Sequence, residues 1–281
     1  MELRTLRYFV AVAEELHFGR AATRLFMSQP PLSRAIRQLE TDLGTTLFNR
    51  SASGVSLTPA GSALLVDARR LLAQADRVRS RVAAAAGAAS LTVGILGNST
   101  DPDIARLAAA YRSRHPNVEV HIRETDLDDP TCGLRAGLVD IALTRGPFDY
   151  SGLQTYELRS DPVGVVLRSD DPLATRESLT LADLSDRRWF QFPPGTDPIW
   201  QSYWNGGQPR QGPVVRAVQE CLQSVLWNGT IGLTPLPHPN PGPQLTTVPL
   251  TDLPPTPALI AWTDSTPLTL SFLQTAKPIY R

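Results

Sequence analysis

The pattern that most constrains this chain lies in residues 18–37, which predict two short helices joined by a tight turn. Ala21, Ala22 and Leu25 share one face of the first helix. The second helix has apolar residues at positions i, i+3, i+4 and i+7, namely Leu32, Ala35, Ile36 and Leu39. Because the small alanines allow the helices to approach closely, the pattern predicts a helix-turn-helix.

The second helix carries a start signal and a polar outer face. Ser28 is a natural N-cap, and Pro30 and Pro31 fall in the first turn, where a missing N–H costs nothing. Side-chain types that contact base edges and phosphates in a major groove lie on the outer face, at Gln29, Ser33, Arg34 and Arg37. We expect residues 28–37 to contact DNA. The alternative is an ordinary helical hairpin with a solvated polar face.

The charge distribution agrees with a DNA-contacting head. The 281 residues carry no net charge, yet residues 1–90 hold 12 arginines and 7 acidic residues, a net charge of +5, and the remainder carries −5. A basic head can bind phosphates without the whole protein being basic. At this length the chain can hold about two domains, and its 42% hydrophobic residues suffice for their cores.

A wing and a long helix are predicted next. Gly44 ends the second helix as a C′ residue would, and residues 45–58 predict two short strands around a Ser/Gly turn. Arg50 lies in this wing, where it could reach the DNA backbone or the minor groove. Thr58 then caps a helix that has Pro59 at its N1 position.

The long helix has a heptad seam. Its apolar residues are spaced 4, 3, 4, 3 and 4 apart, at Leu64, Ala68, Leu71, Ala75, Val78 and Val82. A rod of about 40 Å, from about 1.5 Å per residue, would leave this seam exposed in a monomer. We therefore expect a dimer contact, with packing on its own domain as the alternative. Residues 83–90 predict a small-residue hinge.

From residue 91 onward, strand and helix patterns alternate, which indicates a mainly parallel sheet with helices on its faces. Strands are predicted at 91–97, 118–123, 163–167, 189–192 and 230–235, and a further helix and strand over 134–143. Helices are predicted from residue 98 to about residue 114, at 181–184 and at 218–228. The proline-dense residues 233–257 are expected to form extended loops.

Residues 1–66 resemble the N-terminal domain of LysR-type transcriptional regulators. The segments that carry the resemblance include His17-Phe18-Gly19-Arg20-Ala21-Ala22, Ser28-Gln29-Pro30-Pro31-Leu32-Ser33, Ile36-Arg37-Gln38-Leu39-Glu40 and Leu57-Thr58-Pro59-Ala60-Gly61. The rest of the chain resembles the effector domain of this family more loosely. That second resemblance is carried by Leu134-x-x-Gly137-x-x-Asp140-Ile-Ala-Leu and by the run from Trp227 to Pro235.

The resemblance implies an α+β multidomain fold. A winged helix-turn-helix would occupy residues 1–58, and a long linker and dimerisation helix with its hinge residues 59–90. A two-lobed α/β domain of the periplasmic-binding-protein type would occupy residues 91–281. Lobe I would comprise 91–161 and 265–281, and lobe II would comprise 162–264.

A ligand is expected where the lobes meet, at the carboxyl ends of the strands. Asn98, Ser99 and Thr100 open a helix whose free N–H groups favour an anion, and Arg145 ends a strand where it could pair with a carboxylate. The second lobe is expected to contribute Phe192, Pro193 and Thr196.

The resemblance places Asn98 and Arg145 at typical effector-contacting positions. Leu127, by contrast, stands where effector-binding relatives often have a small hydroxyl residue. Helix capping is the alternative role for Ser99 and Thr100, and an ion pair within the protein is the alternative for Arg145.

Catalysis and metal binding are not expected. The histidines, at positions 17, 115, 121 and 238, accompany no G-x-S-x-G, H-E-x-x-H or P-loop motif. Cys132 and Cys221 lie far apart, which argues against a disulfide scaffold and a zinc site. We expect them to be small buried residues, with a redox-sensing thiol as the alternative. No targeting signal and no apolar run near 18 residues is found, so a cytoplasmic protein is expected.

The sequence thus predicts a regulator of transcription that needs no cofactor. The expected partners are double-stranded promoter or operator DNA, a small-molecule effector such as a carboxylate, and further copies of the chain in a homodimer or homotetramer. RNA polymerase stays open as another partner. In a second hypothesis, the C-terminal domain only assembles subunits and binds no ligand.

Overall fold

The computed structural model describes residues 2–51, 54–85, 89–97, 102–237 and 242–280. The chain divides into two compact units, Met1–Gly87 and Ala88–Arg281. Among the described helices, none combines the length and the apolarity that a membrane span needs.

The first unit, called the head below, consists of helices and one hairpin. Its elements are α1 (Leu3–Glu15), α2 (Phe18–Arg24), α3 (Gln29–Leu43), β1 (Phe48–Ser51), β2 (Gly54–Leu57) and α4 (Pro59–Ala85). Strands β1 and β2 pair in antiparallel fashion. The predicted helix-turn-helix, wing and long helix are therefore confirmed.

Local chemistry sets the helix ends in the head. The His17 Nδ1 atom accepts two backbone N–H groups, at 3.1 and 3.2 Å, and so caps α2. Gly44 has a φ of +67° and ends α3 in the left-handed conformation, as predicted. The predicted cap at Thr58 is also confirmed, because its hydroxyl accepts the N–H of Gly61 at 2.9 Å.

The core of the head is closed by a tight contact between α4 and the start of the wing. Its innermost side chains come from α1 and α3, namely Leu6, Phe9, Val12, Leu32, Ile36 and Leu39. A Cβ atom built on Gly61 would lie 2.1 Å from the carbonyl oxygen of Leu47. Only glycine lets α4 approach the backbone this closely.

The second unit contains two sheets. In chain order its elements are β3 (Ser90–Leu96), α5 (Pro102–Arg114), β4 (Glu119–Thr125), β5 (Ile141–Arg145), β6 (Gln154–Asp161), β7 (Val163–Arg168), α6 (Pro198–Trp204), α7 (Val218–Asn228), β8 (Gly232–Pro235), β9 (Leu245–Pro249), β10 (Thr256–Trp262) and α8 (Pro267–Ala276). Short 3-10 helices lie at Pro172–Thr175 and Ala182–Leu184.

Lobe I is built on the five-stranded sheet, in the order β4-β3-β5-β10-β6. Strand β3 pairs in parallel with β4 and β5, whereas β10 pairs in antiparallel fashion with β5 and β6. Side chains of α5 and α8 cover one face of this sheet, among them Leu107, Tyr111, Phe272 and Leu273.

Lobe II is built on a three-stranded sheet in the order β8-β7-β9, in which both pairings are antiparallel. The expectation of a mainly parallel sheet therefore fails for this lobe, and in lobe I only the two pairings of β3 are parallel. The chain passes between the lobes twice, from β6 to β7 and from β9 to β10.

Three further expectations are wrong. The helix predicted at the start of 134–143 does not form, because residues 130–137 are turns in which Gly133 and Gly137 adopt left-handed backbone conformations. Residues 189–192 form only isolated bridges, not a strand. The proline-dense residues 233–257 contain β9 and the start of β10, and β10 belongs to the lobe I sheet. Lobe II therefore ends before residue 256, not at 264.

We expect the substitution Gly61→Ala to destabilise the head. The added methyl group would meet the carbonyl oxygen of Leu47, and overpacking of this kind costs about 1–3 kcal/mol. Far-UV circular dichroism should show an earlier melting transition of the head. All five tryptophans lie at residue 189 or later, so the transition followed by tryptophan fluorescence should not move.

The neighbouring exposed residue provides the control, because Ser62→Ala changes the same helical turn without a clash. Equal melting temperatures for the Gly61→Ala and Ser62→Ala variants would contradict the close approach of α4 to the wing.

Candidate nucleic-acid interface and ligand cleft

The serine at the start of α3 does not form the usual capping hydrogen bond. Ser28 occupies the N-cap position, but its side chain makes no capping hydrogen bond. An N-cap hydroxyl normally accepts the N–H of the second or third helical residue. Here these residues are Pro30 and Pro31, which have no N–H to donate. The predicted position of Ser28 is right, the predicted cap is absent, and the exposed hydroxyl is left for an external partner.

The outer face of α3 is polar and basic, as predicted. Ser28, Gln29, Pro30, Arg34 and Arg37 are exposed, and Pro31 and Ser33 are half-buried. Arg37 donates a hydrogen bond to the Ser33 hydroxyl at 3.3 Å. Arg34 makes no ion pair with any residue that the structure describes. Its guanidinium is therefore available to an acceptor outside the chain.

The half-buried carboxylate of Glu40 joins α3 to the wing. One oxygen of Glu40 accepts the N–H groups of Leu47 and Phe48, at 2.9 and 3.3 Å. The other oxygen pairs with Arg50 at 3.4 Å. This contact fixes the wing against the recognition helix. Glu40 was not predicted as a functional residue, although its place one turn before the end of α3 and just ahead of the wing is a usable signal.

Arg50 is consequently held from several sides. Besides Glu40, it contacts the Ser33 hydroxyl at 3.4 Å, and its guanidinium carbon lies 4.5 Å from the centre of the Phe18 ring. A cation–π contact and two polar contacts orient this side chain beside α3. Arg50 therefore presents its charge next to Ser33 rather than from a free loop. The wing-tip residues 52–53 lie outside the described residues.

The predicted seam of α4 divides into two parts. Ala68 is fully buried in the core of the head, and Leu64 packs against that core. Ala68 therefore cannot contact a partner helix, which corrects the prediction for this residue, and Leu64 packs at least partly on its own domain. Ala75 is half-buried, whereas Leu71, Val78 and Val82 are 45%, 53% and 64% exposed.

An ion pair fastens the first turns of α4 to α1. Arg69 donates to Glu14 at 2.8 Å, and Arg24 pairs with the same carboxylate at 2.8 Å. Burial opposes the ionisation of Glu14, but the hydrogen bonds from both arginines outweigh it and lower its pKa. This ion-pair network holds α4 against α1 where Leu64, Ala68 and Leu72 pack on the core of the head.

In the second unit, Arg145 is already paired. Its guanidinium contacts the carboxylate of Asp161 at 2.5 Å, and Asp161 also accepts the Arg159 Nε–H at 2.9 Å. Arg159 continues the network to Asp103 at 3.2 Å. The alternative of an ion pair within the protein is therefore the one observed. The Arg145 Nη1 atom nevertheless stays buried without a hydrogen-bond partner among the described residues.

The surroundings of Arg145 differ from those predicted. It lines a small cavity of about 70 Å³ in lobe I, together with Leu96, Ile104, Leu143, Thr144, Leu158, Ala258, Leu259 and Tyr280. Asn98, Ser99 and Thr100, which were expected to join it, lie outside the described residues.

The predicted residues of lobe II lie in an aromatic cluster. Phe192, Pro193 and Thr196 are all buried. The Thr196 hydroxyl donates to the Pro193 carbonyl at 2.8 Å. Phe192 packs with Phe148, Trp200, Trp204 and Leu259, and Leu96 and Leu127 pack against the same cluster. Residues of both lobes thus meet in this apolar cluster, and Leu96 and Leu259 also line the cavity beside Arg145.

Two hydrogen bonds donated by backbone N–H groups join the lobes at the cluster, one to a side-chain carboxylate and one to a backbone carbonyl. The Asp149 N–H donates to Asp197 at 3.1 Å, and the Leu127 N–H donates to the Arg216 carbonyl at 2.7 Å. Asp197 also caps α6. A ligand that changes the angle between the lobes has to act on these contacts.

Both cysteines are poorly reactive. Burial raises the pKa of the Cys132 thiol and of the Cys221 thiol to about 12. A thiol with such a pKa holds almost no thiolate at neutral pH, and the thiolate is the form that reacts. Cys132 is buried as expected, whereas Cys221 is half-buried, and the raised pKa of both thiols disfavours the alternative of a redox sensor.

The chain belongs to the LysR family. Residues 3–62 match the model of the bacterial regulatory helix-turn-helix protein of the LysR family, and residues 84–277 match the LysR substrate binding domain. The head and the two-lobed unit thus each correspond to a family domain.

Curated relatives carry similar sequences. The regulator AlsR of Bacillus subtilis (strain 168) is 39% identical over 188 residues, which are 66% of this chain and 62% of the relative. ShiR of Corynebacterium glutamicum (strain R) is 41% identical over 192 residues, 66% of this chain and 64% of the relative. The chain thus spans less than two thirds of the length of either relative.

Solved structures of the family cover the whole chain. CbnR, a LysR family transcriptional regulator, is 26% identical with a TM-score of 0.60, and all of both chains is covered. Full-length BenM is 29% identical with a TM-score of 0.55, and 100% of this chain and 97% of BenM are covered. CbnR has also been solved in complex with its target DNA, and that chain gives a TM-score of 0.51 over the full length of both chains at 26% identity.

Proposed function

We propose that this protein is a sequence-specific DNA-binding regulator of transcription, whose binding or geometry on DNA is modulated by a small molecule held between the two lobes. The observation that carries the proposal is the exposed start of α3. There Gln29, Arg34 and Ser28, which makes no capping hydrogen bond, are exposed. Arg50 lies against Ser33 of the same helix and is held by Glu40. The complex of CbnR with its target DNA supports it.

The chemistry of this surface fits a major groove. Arginine can donate to two acceptors of a guanine, and glutamine pairs with adenine in the same way. Arg37 and Arg50 lie further along the surface and suit phosphates, which supply affinity without sequence information. Because promoter DNA is the proposed partner, we place the protein in the cytoplasm.

We expect Arg34→Ala to weaken binding to a preferred duplex by about 5- to 150-fold, the loss of one base contact. Gel-shift titrations with a duplex selected from a random library measure it. Arg70→Ala is the matched control, because Arg70 is equally a surface arginine of the head but lies on α4 beside Asp67. If the two variants bound alike, Arg34 would have no role in base recognition.

We further propose that the exposed part of the α4 seam is a dimer contact. Leu71, Val78 and Val82 continue the heptad spacing beyond Ala68, and their apolar side chains are open to a partner helix. Two heads on one dimer would then bind two half-sites about one helical turn apart.

Leu71→Asp should dissociate this dimer, because a buried unpaired charge in the seam costs on the order of 3 kcal/mol. Sedimentation equilibrium at low micromolar concentration should show monomer, and tight DNA binding should be lost with it. Val66→Asp is the control, since Val66 is similarly exposed at 51% but lies off the seam. A dimeric Leu71→Asp variant would place the contact elsewhere.

For the effector we propose a small carboxylate with an apolar body. The unpartnered Nη1 atom of Arg145 offers a hydrogen-bond donor, and the cluster around Phe192 and Leu127 offers apolar surface. The ion pair with Asp161 favours the second hypothesis, in which this domain only assembles subunits, because it already neutralises Arg145.

Substitutions of Arg145 and of its partner Asp161 distinguish a carboxylate-binding domain from one that only assembles subunits. In thermal-shift titrations with a panel of aromatic and aliphatic carboxylates, Arg145→Ala should abolish the stabilisation that a binding carboxylate gives. Asp161→Asn should increase it, because the guanidinium is released for the ligand. Arg168→Ala, which removes an exposed arginine paired with Asp170, should change nothing. If no carboxylate stabilises the wild type, or if Arg145→Ala responds like the control, this site is refuted.

A further inference from the structure

Phe26 is the exception among the phenylalanines of this chain. The other seven are at most 7% exposed, whereas Phe26 is 98% exposed. It lies in the turn between α2 and α3, two residues before Ser28. Exposing a whole aromatic ring to water is unfavourable in the free protein. A partner that covered the ring would remove this cost.

The backbone of the turn fixes Phe26 in this outward position. Its N–H donates to the Thr23 carbonyl at 3.1 Å, and the next N–H, of Met27, donates to the Ala22 carbonyl at 3.0 Å. On either side of it, Leu25 and Met27 pack against the core of the head. Because the side chains of Leu25 and Met27 point into the core, the ring between them cannot also do so.

Phe26 is continuous with the proposed DNA surface. It precedes Gln29 by three residues, and Ser28, Gln29 and Pro30 are all exposed beside it. The exposed Arg34 of α3, which has no ion-pair partner among the described residues, makes this part of the head attractive to a polyanion. An apolar ring at the rim of a polar and basic surface fits one feature of a major groove, the C5-methyl group of thymine.

We propose that Phe26 is a DNA-contacting residue that packs on a thymine methyl group at the edge of each half-site. This inference rests on the proposed DNA binding and deepens it, because it names a base at a position that the polar residues of α3 do not read. The contact adds sequence preference without adding a phosphate contact. The dependence of binding on salt should therefore stay the same when the ring is removed.

The test combines a change in the protein with a change in the DNA. The protein variant is Phe26→Asn, because asparagine tolerates the left-handed φ of +53° at this position and keeps the turn. The probe is a duplex selected from a random library, in which each thymidine in turn is replaced by deoxyuridine, which lacks only the methyl group. Binding constants are measured by fluorescence anisotropy for all combinations.

For the wild type, one deoxyuridine per half-site should weaken binding by about 4-fold, the effect expected for one methyl group. Phe26→Asn should bind the unmodified duplex at least about 4-fold more weakly, and the same deoxyuridine should cost this variant nothing. Leu16→Asn is the matched control, since Leu16 is also apolar, exposed and left-handed, with a φ of +47°, but ends α1. It should keep the wild-type response to deoxyuridine.

Other results would overturn the inference in distinguishable ways. Wild-type affinity of Phe26→Asn, or a deoxyuridine effect that persists in this variant, would remove Phe26 from the interface while leaving the proposed DNA binding intact. A change in sedimentation of Phe26→Asn without a change in the deoxyuridine effect would assign the ring to a contact between copies. A wild type that prefers no duplex would refute the proposed function itself.

Discussion

The carboxylate of Glu40 is the contact on which the DNA-binding head depends. It accepts the backbone N–H groups of Leu47 and Phe48 where the chain leaves α3, and it pairs with Arg50 on the wing. Without it, two amide groups would lose their acceptor, which costs about 1–3 kcal/mol for each buried group. One side chain of α3 therefore connects this helix to the start of the wing and to Arg50.

In the second unit, the carboxylate of Asp161 likewise connects several groups. Asp161 ends β6, just where the chain first crosses from lobe I to lobe II, and it holds both Arg145 and Arg159. A carboxylate ligand that competed with Asp161 for the guanidinium of Arg145 would act at this crossing. Such competition would link ligand binding to the contacts between the lobes, and a ligand shifts a conformational equilibrium only through such a difference in affinity.

The sequence predicts local features well. The apolar spacing located α2, α3 and α4, and residue chemistry located the ends at Gly44 and Thr58. Features that depend on distant partners were missed. The burial of Ala68 depends on α1, and the place of β10 depends on its pairing with β5 and β6, neither of which leaves a local pattern. The pairing of Arg145 with Asp161 is equally invisible in the spacing of the two residues.

Sequence-specific DNA recognition by the exposed face of α3 is the central claim to be tested. Selection of duplexes from a random library by the full-length protein, followed by binding titrations at several salt concentrations, measures this directly. We expect an enriched pair of symmetric half-sites with centres about 10 base pairs apart, bound in preference to random duplexes at every salt concentration. No enrichment, together with equal affinity for all duplexes, would contradict the account.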